Sequence, residues 1–222
     1  MEKKIIQSLY ANVVAKDELR PIMNGVHFES ERCYASDGHV LVIYEEGKPE
    51  LEGKTMSASG EELEGKTMSA SGEELEGRYP NVDSVFPNEE NYGKKLVIDI
   101  LQLRNACKWQ TQQEDANEND NVVIGNVGYN IRTLMRICNV MLTSGNPRHI
   151  KFYNSDPNRP TVIIGTKLKG LVMPMQYEEA NIDSEREEEG YTRTYSYENL
   201  VNEYVFNGWK KPEKKQALGW LD

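Results

Sequence analysis

Apolar residues in this chain follow two rhythms, and their alternation constrains the fold more than any single motif. Around 3–15, Ile5, Ile6, Leu9, Tyr10, Val13 and Val14 recur at helical spacing as one stripe, with Lys3, Lys4, Gln7, Ser8 and Asn12 opposite. The same rhythm predicts helices over about 100–110 and 131–142. Asp99 is placed to cap the second helix; Ile100, Leu103 and Cys107 face inward, and Arg104 and Lys108 stand one turn apart outside. Asn130 is placed to cap the third, and Gly145 lies near its end. Its buried face is Ile131, Leu134, Met135, Cys138 and Leu142; Arg132, Arg136 and Asn139 share the other face. Short β-branched and aromatic runs predict strands at 25–29, 32–36, 39–44, 95–98, 121–128, 149–153, 160–165 and 169–175. The expected class is α+β.

The chain has 222 residues, 38% hydrophobic and 28% charged, enough for one large or two small domains with much solvated loop. No apolar run approaches the ~20 residues that cross a bilayer, and the N-terminus has no signal-peptide pattern, so neither a membrane-spanning nor a secreted protein is expected. Cys33, Cys107 and Cys138 are odd in number and far apart, which disfavours a disulfide scaffold or a zinc site and fits a reducing cytoplasm.

A net charge of −10 disfavours nucleic acid, but its distribution matters more. Segments 44–77 and 178–222 hold −7 and −5 of it, which leaves the remainder at +2. The acid is thus expected in appendages, and the folded body, 1–177 without the segment 44–77, is slightly basic. The stretch 178–222 reads as a partly ordered tail, with the acidic run 185–189 followed by aromatic and basic patches around Trp209, Lys210, Lys211, Lys214, Lys215 and Trp220. Inside the body, ELEGKTMSASGE at 50–61 recurs identically at 62–73, and ELEG begins again at 74–77. Two copies are too few for a solenoid. A Gly/Ser/Glu-rich unit of this size is expected to be a duplicated surface loop, inserted at about 45–77, where added length costs little closure entropy.

Chemistry-bearing motifs are sparse. His27, Asp37 and His39 lack a third partner at metal spacing, and no HExxH, nucleophile elbow, GxGxxG or P-loop occurs. No catalytic residue, cofactor or metal is expected. Basic and amide side chains on the outer faces of all three helices suit either ordinary solvation or a surface meeting a phosphate backbone without reading bases.

Several stretches, in order, resemble the bacterial DNA polymerase III beta subunit, the sliding clamp. They are DELRPIMNGVHFE (17–29), SDGHVLV (36–42), GRYPNVDSVFP (77–87), VGYNIRTLMRICNVM (127–141) and GLVMPMQ (170–176). The likeness covers roughly 1–43 and 77–176. It implies a clamp fold, with repeated β–α–β units, antiparallel sheets outside and helices lining a hole. It implies a homo-oligomeric ring on duplex DNA, without sequence specificity and without an enzymatic activity of its own. It also implies a pocket that takes a short Gln and Leu/Phe peptide from a DNA polymerase or clamp loader. Carried over residue by residue, that pocket would comprise Met23 from the first stretch, and Ser36, Gly38, His39 and Leu41 from the second. Pro80 and Val85 come from the third, and Leu171, Val172, Met173, Pro174 and Met175 from the last. The DNA-facing cations would be Lys3, Lys4, Arg104, Lys108, Arg132 and Arg136. Three family arginines are replaced, by Val40, Ser84 and Gln176, which alters the charge expected around the pocket. The chain is shorter than a three-domain clamp and carries each motif once. Near its end, Gln216-Ala217-Leu218-Gly219-Trp220-Leu221 loosely resembles the partner peptide itself.

Overall fold

The structure, a computed structural model, describes residues 2–16, 18–63, 66–68, 74–76, 78–143, 145, 148–154, 156–183 and 192–207. The expected tail segment 208–222 and the acidic run 185–189 lie outside the described residues.

Helix α1 spans Glu2–Asn12, and strands β1 (Val26–Phe28), β2 (Cys33–Ser36) and β3 (Val40–Tyr44) follow. Past the repeat come the four-residue helix α2 (Val82–Val85), β7 (Lys94–Asp99) and α3 (Ile100–Gln110). Asp99 caps α3 as expected: its Oδ1 accepts from the Leu101 and Gln102 amides at 3.1 and 3.0 Å. Strands β8 (Asn121–Ile124) and β9 (Val127–Asn130) lead into α4 (Ile131–Thr143). The sequence pattern gives a strand-like segment over 121–128 in which Gly125 and Gly128 suggest a bulge or turn. The structure folds a hairpin there, because Gly125 adopts φ +67°, a left-handed conformation that reverses the chain. Strands β10 (His149–Asn154), β11 (Thr161–Ile164) and β12 (Leu168–Val172) complete the body.

The repeat is not a bare loop. Its first copy gives β4 (Thr55–Met56), which pairs with β1 and buries Thr55. Met56 bridges Glu62, and the Leu63 amide donates to the Thr55 carbonyl at 2.7 Å, so the chain turns back on itself. The second copy gives β5 (Lys66–Met68), which pairs with β6 (Glu74–Glu76) at the start of the partial third copy, with Thr67 opposite Leu75 and Met68 opposite Glu74. Those are the first copy's pairings displaced by one repeat. Twelve residues with strand formers at one end and Ser-Ala-Ser-Gly in the middle therefore encode a hairpin, repeated in tandem.

Eight antiparallel strands form one sheet in the order β4-β1-β2-β3-β12-β11-β10-β7. Helices α1, α4 and α3 pack side by side over one face. The main core lies between, with Leu9, Leu103, Leu134, Cys138 and Met141 meeting Val42, Phe152, Ile163 and Val172. On the opposite face, Tyr34, Leu41, Ile43, Val82, Val162 and Leu171 form a second, smaller cluster. Alternation along each strand decides which cluster a residue joins.

Residues 194–207, grouped by sequence with the acidic tail, add to the same body. Strand β13 (Thr194–Ser196) pairs in parallel with β8, and α5 (Tyr197–Asn207) packs beside α3. Buried Asp120 fixes this attachment, accepting from the Arg193 amide at 2.9 Å and the Asn117 amide at 2.9 Å. Asn154, also buried, donates to the Ile124 carbonyl at 2.9 Å and joins the two sheets.

Candidate functional site: an apolar pocket at the sheet's outer face

The turn between β2 and β3 builds one wall. Gly38 sits at φ +90°, which permits the tight reversal. The Ser36 hydroxyl donates to the Val40 carbonyl at 2.9 Å and accepts from the Gly38 amide at 3.1 Å. Asp37 Oδ1 accepts from the His39 and Val40 amides at 2.9 and 2.8 Å. Two side chains thus set the turn locally, as Ser and Asp do in such positions.

Helix α2 builds the facing wall. The Asn81 side chain caps it by accepting from the Asp83 amide at 3.0 Å. So short a helix needs an external tether, and Arg32 supplies one. Its two terminal nitrogens donate to both Asp83 carboxylate oxygens at 2.7 and 2.8 Å, and it also pairs with Glu29. The hydrogen bonds from Arg32 hold the Asp83 carboxyl below its ordinary range. Burial pushes Glu29 upward, but hydrogen bonds from Arg32 and Tyr34 outweigh it and leave that carboxyl lowered too.

The floor contains Tyr79. Its hydroxyl accepts from the Ser36 amide at 2.8 Å, and its ring stacks on His27 at 5.2 Å and meets Tyr34 edge-on at 5.3 Å. Burial raises its hydroxyl pKa. Between these walls lies a cavity of about 410 Å³. The volume and its mostly apolar lining suit a few side chains of a bound peptide.

Of the residues expected there, Met23, Ser36, Gly38, His39, Leu41, Pro80, Val85, Leu171 and Met173 line this cavity. Val85 and Met173 are unusually open for apolar side chains, at 54% and 41% exposure. Three others do not line it. Val172 is fully buried in the main core, because strand alternation turns it opposite to Leu171. Pro174 and Met175 continue beyond the cavity, and the Met175 amide donates to the Gly128 carbonyl on β9. Sequence reasoning missed Arg20, Val40, Tyr79, Val82 and Pro160, which also line it. Val82 was findable: it lies three residues before Val85, on the same face of a helical turn.

The expected DNA-facing cations divide. Lys3, Lys4, Lys108 and Arg132 are exposed, and none forms an ion pair among the described residues. Arg104 is half-buried, with its Nε enclosed and lacking an acceptor among the described residues. Arg136 is committed internally: its Nη2 lies 2.7 Å from Asp37 Oδ2, and its Nε donates to the Asn12 carbonyl at 2.6 Å. The outer-face assignment for Arg136 is therefore corrected, since α1 and the pocket turn flank it.

No group of three or more His, Cys, Asp or Glu residues among the described residues could hold a metal. Burial pushes the Cys33 and Cys107 thiols up to about 12, far from reactive thiolates. Asp37 and His39 do not converge: His39 lines the pocket, whereas Asp37 lines a separate cleft with Arg136. No helix among the described residues is long and apolar enough to cross a membrane.

No protein-family model and no curated protein matches the chain. Solved structures do. A sliding clamp from Pseudomonas aeruginosa with a ligand superposes with a TM-score of 0.57 at 16% identity, covering 79% of this chain and 63% of that one. The Bartonella birtlesii clamp bound to griselimycin gives 0.56 at 16% identity, with 79% and 64% covered. The Bacillus subtilis clamp gives 0.55 at 14% identity, with 78% and 63% covered. The chain thus spans a little under two thirds of the length of these proteins. With its antiparallel outer sheet and its layer of packed helices, the chain has the fold of the bacterial DNA sliding clamps, the beta subunits of DNA polymerase III.

Proposed function

We propose that this protein is a sliding-clamp-like processivity factor of the cytoplasm, which holds a replication protein near duplex DNA and carries out no chemistry itself. The observation that carries this reading is the pocket: five separate chain segments converge on one apolar cavity at the outer face of a clamp fold. A partner peptide with Gln and Leu/Phe anchors would seat its apolar side chains against Met23, Leu41, Leu171 and Met173. Tethering raises the effective concentration of a polymerase at its template without any new contact to it. Exposed Lys3, Lys4, Lys108 and Arg132 would meet phosphates, giving association that is independent of sequence and sensitive to salt. A ring would be closed by several copies of the chain.

A labelled acetyl-Gln-Leu-Ser-Leu-Phe peptide, titrated by fluorescence polarisation, tests the pocket. Saturable binding that Met173→Ala weakens is expected; absence of binding overturns the peptide-docking reading. Light scattering on size-exclusion fractions over a dilution series tests the ring. A stable multiple of the 25.4 kDa chain is expected.

One observation favours a second reading, a clamp-fold adaptor that binds peptides without encircling DNA. Helix α5 extends the helix layer beside α3, and it carries Glu198 and Glu203 but no cation. Acid in that layer would repel a phosphate backbone. Peptide binding by a species that stays monomeric and shows no salt-dependent association with duplex DNA would select the adaptor.

A further inference from the structure

Arg136 faces two ways at once. It sits on α4, one turn after exposed Arg132, yet two of its three guanidinium nitrogens are used inside the protein. Nε donates to the carbonyl of Asn12, the last residue of α1, whose helix-end carbonyl has no partner within its own helix. Nη2 pairs with Asp37 Oδ2. The other carboxylate oxygen of Asp37 is the acceptor for the His39 and Val40 amides, the bonds that shape the pocket turn. The Asp37 side chain is only 12% exposed, so its negative charge is held away from water and needs the guanidinium beside it. Nearby, Asn139 of α4 donates to the Asn12 side chain at 3.1 Å, which fixes the α1–α4 seam on which Arg136 rests.

The geometry points to Arg136 as a positioning residue for the pocket, acting through Asp37. It locks the orientation of the carboxylate that organises Gly38 and His39, and it ties that turn to the helix layer on the far side of the sheet. The chain of contacts is continuous: Asn12 carbonyl, guanidinium, Asp37 carboxylate, His39 and Val40 amides. If the guanidinium is lost, Asp37 can rotate toward solvent in the open polar cleft it shares with Arg136, a space of about 560 Å³. The turn would then lose its acceptor, and the wall formed by Ser36, Gly38 and His39 would become mobile. Arg132 has no such connection and serves as the internal control.

This inference rests on the peptide-docking reading for its functional half, and the test separates the two. Amide hydrogen exchange on the full chain reads the turn without any ligand. Arg136→Gln should speed exchange at His39 and Val40 by about tenfold, the loss expected for a charge-assisted bond, with amides of α3 unchanged. Affinity for the labelled Gln-Leu-Ser-Leu-Phe peptide should fall by about the same factor. Arg136→Lys should restore part of both, and Arg132→Gln should change neither. Asp37→Asn keeps a backbone acceptor but removes the charge. It should weaken peptide binding as Arg136→Gln does, and the double variant should be no worse than either single one. If Arg136→Gln loosens α3 as well, the Lys and Asp37→Asn variants decide the matter. Unchanged exchange at His39 and Val40 in Arg136→Gln overturns the inference, even if peptide binding is normal. Failure of the wild-type protein to bind peptide overturns the docking reading alone.

Discussion

The two faces of the eight-stranded sheet are built from the same strands but by different means. Toward the helices, contacts are dry and apolar: Phe152, Ile163, Leu168 and Val172 pack on Leu134, Cys138 and Met141 without an ion pair among them. On the outer face, the apolar patch is small and open, and polar devices do the holding: the Arg32–Asp83 pair, the Ser36–Tyr79 bond and the turn of Asp37. Neighbours in sequence fall on opposite sides of this divide. Leu171 belongs to the pocket and Val172 to the core. An apolar patch left open to solvent has no covering layer to pack against, so polar struts fix its shape instead.

The comparison predicts separable losses. Truncating the inner face should cost most: Leu134→Ala, at a fully buried site, should lower unfolding stability by about 3 kcal/mol in a urea titration. If the folded fraction of that variant still binds peptide normally, the faces are independent. Met173→Ala reverses the pattern. Its side chain is 41% exposed, so stability should fall by less than about 1 kcal/mol. Peptide affinity should fall by about tenfold, the scale of a modest interface anchor.

Smaller still is the tether of α2. Asp83 and Glu29 both have lowered carboxyl pKa values in the fold, so their stabilising pairing with Arg32 is present above the ordinary carboxylate range. It disappears as pH falls through the lowered values, below the ordinary carboxylate range. Arg32→Met should cost less than about 1 kcal/mol at pH 7, since its partner Asp83 is largely solvent-exposed, and should flatten the acid limb of the stability curve. An acid limb identical to that of the wild-type protein would show that Arg32 does not hold the pocket wall. Least of all should follow from removing residues 62–73. Glu74-Leu75-Glu76-Gly77 would then follow Glu61 and restore the local sequence, so stability and peptide affinity should stay within about 1 kcal/mol of the parent.

Much of this organisation is legible in the sequence. The stripes of α1, α3 and α4, the Asp99 cap and most strands follow from spacing and composition, because those signals are local. The pocket came from short motifs, and it came as blocks. Treating Leu171 through Met175 as one wall ignored strand alternation, which sends Val172 inward. Arg136 was misread for a different reason: its partner Asp37 is far away in sequence, and no local pattern reports such a pair. Helix α5 was not singled out because the acidic residues around it made the stretch read as a partly ordered tail.

The tandem hairpin has a consequence for how this chain can change over time. Most insertions in a β-sheet shift register and turn buried side chains outward. Here the inserted unit is even in length, closes on itself and repeats its own pairing, so a gain or loss of twelve residues leaves β1 and the pocket in place. The sheet edge beside β1 is thus a site where the chain can lengthen or shorten in whole modules, while the rest of the molecule keeps its reading frame of inside and outside.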